Sequence, residues 1–93
     1  MNYEVKVSDK SIYIGDTPLT AIAAIDYYIN RNGIIDATHT ETDKAHRGQG
    51  LAGIVFLKLI ELAKEKNTTI NPFCSYISEQ LKKPEFSEYL YKK

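Results

Sequence analysis

The chain has 93 residues, a length that accommodates one domain with a modest core. Apolar residues make up 43%, ordinary for a soluble globular protein, and 12 basic residues balance 12 acidic ones. The cations are scattered singly or in pairs, so nothing favours nucleic acid or an anionic membrane surface as a partner, and no apolar run is long enough to span a bilayer.

Tyr3, Val5 and Val7 alternate with Glu4 and Lys6, the period of a half-buried strand. Ser8-Asp9-Lys10 reads as a turn. Residues 11–15 then read as a second short strand, broken by Asp16-Thr17-Pro18. The run 21–29 is ambiguous: its alanines suit a helix, and Ile22, Ile25 and Ile29 have helical spacing. Its neighbour decides. Asn32-Gly33, flanked by Ile29 and Ile34, is a hairpin signal because both residues tolerate positive φ. Paired antiparallel strands are therefore predicted over 21–30 and 34–42.

Residues 51–66 form the clearest helix. Leu51, Ile54, Val55, Leu59, Leu62 and Ala63 make one apolar face, widened by Phe56, Leu57 and Ile60. A helix so broadly apolar needs cover on more than one side, and a homodimer is one way to supply it. Residues 68–73 read as a last strand. Residues 75–83 read as a second helix, with Ser75 as N-cap and Pro84 as its stop. Residues 85–91 are compatible with another helical turn. The fold class is thus α+β. Four mostly antiparallel strands precede a central helix, and a fifth strand lies parallel to the fourth after a right-handed crossover. A C-terminal helix follows.

Between the fourth strand and the long helix lies Arg47-Gly48-Gln49-Gly50-Leu51-Ala52. A glycine-rich turn opening a helix gathers backbone N–H groups at the positive end of the helix dipole, a ready site for phosphate or pyrophosphate. Gly48-x-Gly50-x-x-Gly53 also matches the dinucleotide fingerprint, but weakly. The preceding strand turns polar toward its end, no acidic residue stands about 20 positions on for a ribose, and the chain is short for a dinucleotide fold.

With Arg47 as first position, Arg-x-x-Gly-x-Ala resembles the acyl-CoA pyrophosphate loop of the GCN5-related N-acetyltransferase superfamily. Glu41-Thr42-Asp43, His46-Arg47-Gly48-Gln49-Gly50 and the downstream Pro72-x-Cys74-x-Tyr76 look like its small single-domain branch. The resemblance implies acetyl-CoA as cofactor, its pyrophosphate on the amides of Arg47, Gly48, Gln49, Gly50, Leu51 and Ala52. It places the pantetheine arm along the end of the fourth strand, near Glu41 and Thr42. That requires the fourth and fifth strands to separate, and Pro72 cannot donate to the ladder there.

His39 and Glu41, two apart on a strand, share a face, and either suits a general base. Cys74 follows the fifth strand and precedes a helix, where a thiolate is favoured. It is a candidate acetyl-accepting nucleophile or a cofactor contact. Tyr76 is the candidate proton donor to the leaving thiolate, by the resemblance. Larger members of the superfamily have helices between the first strands where the acceptor is gripped; residues 16–20 offer only a short connection. The acceptor is therefore an unidentified amine, a protein or peptide among the candidates. A CoA-binding or interaction module with little catalysis is the alternative reading. Nothing in the sequence forms a metal-ligand pattern. The N-terminal Met1-Asn2-Tyr3-Glu4 lacks the basic and apolar regions of a signal peptide, and the lone Cys74 has no internal disulfide partner, so a cytoplasmic setting is expected.

Overall fold

The computed structural model describes residues 3–92, so Met1 and Asn2 of the N-terminal stretch read above lie outside it. One mixed sheet holds five strands in sequential order: β1 (Lys6–Val7), β2 (Ser11–Ile14), β3 (Ala23–Ile29), β4 (Ile35–Thr42) and β5 (Ile70–Pro72). The first four pair antiparallel and β5 runs parallel to β4. Helix α1 (Leu51–Lys66) makes the crossover, and α2 (Ser75–Leu81) follows β5. The predicted order and pairing are the observed ones. None of the described helices is long and apolar enough to cross a membrane.

Both helices pack on one face of the sheet. A single buried cluster joins Ile12, Ile14, Ile25 and Ile35 of the strands to Val55, Phe56 and Leu59 of α1 and to Ile77 and Leu81 of α2. Beyond α2, Phe86 meets Phe56 edge to face, with ring centroids 5.1 Å apart, so α1 is covered by the sheet on one side and by the C-terminal segment on another. The opposite face of the sheet carries no helix. It presents Tyr13, Ala24, Asp26, Tyr28, His39 and Glu41, with a short 3-10 turn, Pro18–Thr20, at its margin.

Several local details depart from expectation. The first strand is shorter than predicted: Tyr3 and Val5 pack against the core, but ladder pairing is confined to Lys6 and Val7. In the hairpin only Gly33 takes positive φ (79°); Asn32 does not. The Asn30 N–H donates to the Ile34 carbonyl at 2.9 Å, closing a three-residue loop over Arg31, Asn32 and Gly33. The Asn30 side-chain oxygen accepts from the amides of Asn32 and Ile34, so a side chain fixes the turn that a second left-handed residue would otherwise provide.

A β-bulge interrupts the β3–β4 ladder. Ala37 opposes Tyr27, yet His39 opposes Asp26, leaving Thr38 as the extra residue. One inserted residue reverses which side chains face the core. Ile35 and Ala37 are buried under the helices; beyond the bulge Thr40 and Thr42 take that side, and His39 and Glu41 move to the open face. The second helix is also capped differently from expectation. Cys74, not Ser75, is its N-cap. The Phe73 amide still donates to the Ala37 carbonyl at 2.9 Å, so the chain leaves the sheet one residue before the helix and Cys74 keeps extended dihedrals.

Candidate active site

The site is built around a fork in the sheet. β4 and β5 are paired through Ala37 and Pro72, and the bond from Phe73 to Ala37 closes the last rung. β4 then continues to Thr42 without β5 beside it. The pairing thus runs past Pro72, and the separation expected there begins after Phe73. Over residues 38–42 that flank of β4 has no strand beside it.

Next in the chain comes the loop that opens α1. Asp43 caps the 3-10 turn Lys44–His46: its carboxylate accepts from the Ala45 amide at 3.3 Å and contacts His46 Nδ1 at 2.9 Å. The hydrogen bond with His46 holds the Asp43 carboxyl below the usual range. Arg47, Gly48, Gln49 and Gly50 follow, all exposed, with Tyr3 Oη donating to Gln49 Oε1 at 3.2 Å. Gly48 and Gly50 have φ of 84° and 76°, and a Cβ on either would project into open space.

Gly50 is the N-cap of α1, and no side chain caps the helix. The Ile54 amide begins the intrahelical ladder by donating to the Gly50 carbonyl at 3.3 Å. The first-turn amides of a 16-residue helix therefore stand uncapped, with no acidic side chain in that turn and Arg47 just before it. That is the electrostatic requirement for holding a phosphate. Leu51 is 1% exposed, so its side chain belongs to the core and only its backbone N–H can serve a ligand.

Cys74 and Tyr76 stand on the helical side of the fork. Cys74 Sγ donates to Thr40 Oγ1 at 3.2 Å. Burial pushes the thiol up, but the Thr40 hydroxyl and the backbone N–H groups of Ile77, Tyr76 and Thr40 outweigh it, and the thiol sits below its ordinary value. Those N–H groups do not close a formal capping bond; their dipoles act on the sulfur. The Tyr76 hydroxyl reaches the first turn of α1, 3.8 Å from where a Cβ on Gly53 would stand. Burial raises its pKa, so it keeps its proton at neutral pH. On the open face His39 Nε2 and Glu41 Oε2 are 3.8 Å apart and both are largely exposed.

The site residues named from the sequence therefore fall into two pairs. Strand alternation keeps His39 with Glu41 on one face and the bulge makes that the open face, while Cys74 with Tyr76 occupies the other, both beside the upper part of β4. Thr40 is the residue that sequence reasoning missed. The alternation that placed His39 and Glu41 together also sets Thr40 on the opposite side, toward Cys74. Thr42 is half-buried at the strand end.

A mixed sheet with a fork at the carboxyl ends of its two parallel strands, followed by an uncapped helix behind a glycine loop, defines the α+β domain. The chain belongs to the GCN5-related N-acetyltransferase family: the family model described as GCN5-related N-acetyl-transferase matches residues 11–90. It is also similar to the solution NMR structure of a GCN5-like candidate N-acetyltransferase from Staphylococcus aureus. The two share 29% identity with a TM-score of 0.77, over 99% of this chain and 91% of that one.

Proposed function

We propose that this domain binds acetyl-CoA and transfers its acetyl group to an amine. The observation that carries this reading is the fork between β4 and β5, together with the uncapped first turn of α1, against which Tyr76 rests. The residues present fit the cofactor. The amides over 47–52 would hold the pyrophosphate, with Arg47 adding charge. The flank of β4 over 38–42 would pair with the amides of the pantetheine arm. When bound, acetyl-CoA supplies an acetyl group activated as a thioester.

The Cys74 thiolate, held by Thr40, takes the acetyl group: a carbon–sulfur bond forms at Cys74 as the bond to the CoA sulfur breaks. Tyr76 donates its proton to the leaving thiolate and recovers it from solvent. The acceptor amine then attacks the thioacetyl carbon, Glu41 with His39 beside it takes the amine proton, and Cys74 returns as thiolate.

Intact-mass spectrometry after incubation with acetyl-CoA tests this sequence of steps. Wild-type protein is expected to carry one acetyl group on Cys74, and Cys74→Ala to carry none while still binding the cofactor. Glu41→Gln is expected to form the adduct normally and lose it slowly to added amines. Acetyl transfer that Cys74→Ala performs at the wild-type rate would remove the cysteine from the mechanism.

A further inference from the structure

One edge of the sheet is covered by the chain itself and the other is not. Beside β5, Leu90 bridges in parallel to Ile70, and the Tyr91 amide donates to the Ile70 carbonyl at 2.8 Å. β1 lies at the opposite edge, with β2 as its one neighbouring strand among the described residues. The Ser8 amide donates to the Ser11 carbonyl at 2.8 Å, and Lys6 stands opposite Tyr13, so Ser8 and Lys6 turn their backbone groups toward β2. Antiparallel pairing alternates, so the N–H and C=O of Val7 point outward. Edge strands are commonly guarded by a lysine or a proline. Here no proline lies in 3–13, and the Lys6 ammonium is drawn back over its own sheet to the Gly15 carbonyl, 2.8 Å away.

The side chains of this edge alternate. Tyr3 and Val5 pack against the core, and Val7 stands opposite Ile12 of the core, so all three lie on the helix side. Glu4 and Lys6 take the other side. The helix side stays partly open: Val7 is 43% exposed, Leu57 is 56% exposed, and a groove of about 370 Å³ lies between Val5 and the α1 residues Ile54 and Leu57. The segment Tyr3-Glu4-Val5-Lys6-Val7 thus reads apolar, acidic, apolar, basic, apolar. Laid antiparallel on a second copy of itself about Val5, it sets Glu4 opposite Lys6 twice and Tyr3 opposite Val7 twice, with the two Val5 residues facing each other. Opposite charges and aromatic–β-branched pairs are favourable cross-strand combinations. Moving the centre one residue either way places two like charges directly opposite, at Lys6 or at Glu4.

We infer that β1 is a self-association edge, at which a second copy of this chain adds its own β1 antiparallel across a two-fold axis at Val5. An axis perpendicular to the sheet keeps the helices of both copies on one side, so apolar side chains meet apolar ones and charges meet opposite charges. Within one chain Tyr3 and Val5 lie outside the ladder. Pairing with the second copy extends the strand over 3–7 and uses the outward backbone groups that β2 leaves free. An ammonium donates three hydrogen bonds, so Lys6 can keep the Gly15 carbonyl while it meets the Glu4 of the other copy. The balance of 12 basic and 12 acidic residues leaves no net repulsion between copies. This association is independent of the proposed acetyl transfer.

Sedimentation velocity on the full chain, over a range of concentrations, tests this. Wild type is expected to pass from monomer to dimer as concentration rises. Lys6→Glu and Glu4→Lys each set like charges opposite in both pairs, and each is expected to raise the dissociation constant about tenfold at low salt. An equimolar mixture of the two variants restores both pairs, so the mixed dimer is expected to form about as tightly as wild type. Recovery on mixing also shows that both variants are folded, and it separates pairing between copies from any effect within one chain. Val7→Pro removes an outward N–H that the β1–β2 ladder does not use, and is expected to weaken the dimer about as much. A wild-type chain that stays monomeric at millimolar concentration would overturn the inference and leave the edge to a strand of another protein. A dimer indifferent to Val7→Pro, or a mixture no tighter than either variant alone, would overturn it as well.

Discussion

Gly50→Ala separates the conformational role of the glycine loop from its role in binding. Gly50 sits at φ 76° and Gly33, in the distant hairpin, at φ 79°; a Cβ on either would meet nothing within 4 Å. Sterically the two substitutions are therefore equivalent, and each costs only the left-handed penalty of an L residue, about 1–2 kcal/mol. In a domain of this size that corresponds to a fall in Tm of roughly 4–8 °C per kcal/mol. Ligand binding should split them. A methyl group on Gly50 enters the space that the phosphates are proposed to fill and displaces them from the first-turn amides. Loss of one hydrogen bond to a charged group is worth about 1.5–3 kcal/mol, or roughly tenfold to a hundredfold in affinity. Differential scanning calorimetry and isothermal titration with acetyl-CoA on both variants measure the two effects separately. The expected result is matched stability losses with weakened binding in Gly50→Ala alone. Equal acetyl-CoA affinity in the two variants would refute the loop as the pyrophosphate site. Stabilities differing by more than about 2 kcal/mol would refute the φ argument.

Thr40→Val removes the hydroxyl that favours the Cys74 thiolate. Iodoacetamide alkylation of Cys74 should be slower at neutral pH, and its pH midpoint should move upward from a wild-type value lying below that of an ordinary cysteine; an unchanged profile would remove Thr40 from the site. Arg47→Ala should weaken acetyl-CoA binding about threefold at low salt, and less as salt rises, because an exposed cation acts through a screened field. A salt-independent loss, read by titration calorimetry, would mean that Arg47 acts by shaping the loop. Leu59, fully buried between α1 and the sheet, should cost about 2–5 kcal/mol on truncation to alanine, a large part of the roughly 5–15 kcal/mol that holds such a domain folded. Urea denaturation checks this, and a loss under about 1 kcal/mol would contradict the packing described.

The elements most legible in the sequence had local signals that agreed with the global pairing. The apolar width of α1 marked the crossover, Asn32-Gly33 marked the hairpin, and the paired glycines before Leu51 marked the uncapped helix start. The bulge at Thr38 was not legible. Residues 38–42 read Thr-His-Thr-Glu-Thr, polar on both faces, so no hydrophobic alternation specifies which side chains turn inward. Thr40 was missed for the same reason, since its contact with Cys74 exists only because the bulge reverses the strand's faces. The position of the α2 cap was misread because serine is the better capping residue. The last ladder bond, from Phe73 to Ala37, overrode that preference and made Cys74 the cap.

The proposed binding mode lays acetyl-CoA along the fork, with its pyrophosphate at the start of α1. Amide chemical-shift mapping with acetyl-CoA, and separately with NAD, tests it most directly. Saturable shifts with acetyl-CoA are expected over residues 38–42 and 47–53 and at Cys74 and Tyr76, with no comparable pattern for NAD. Shifts absent from residues 47–53, or reproduced in full by NAD, would contradict it.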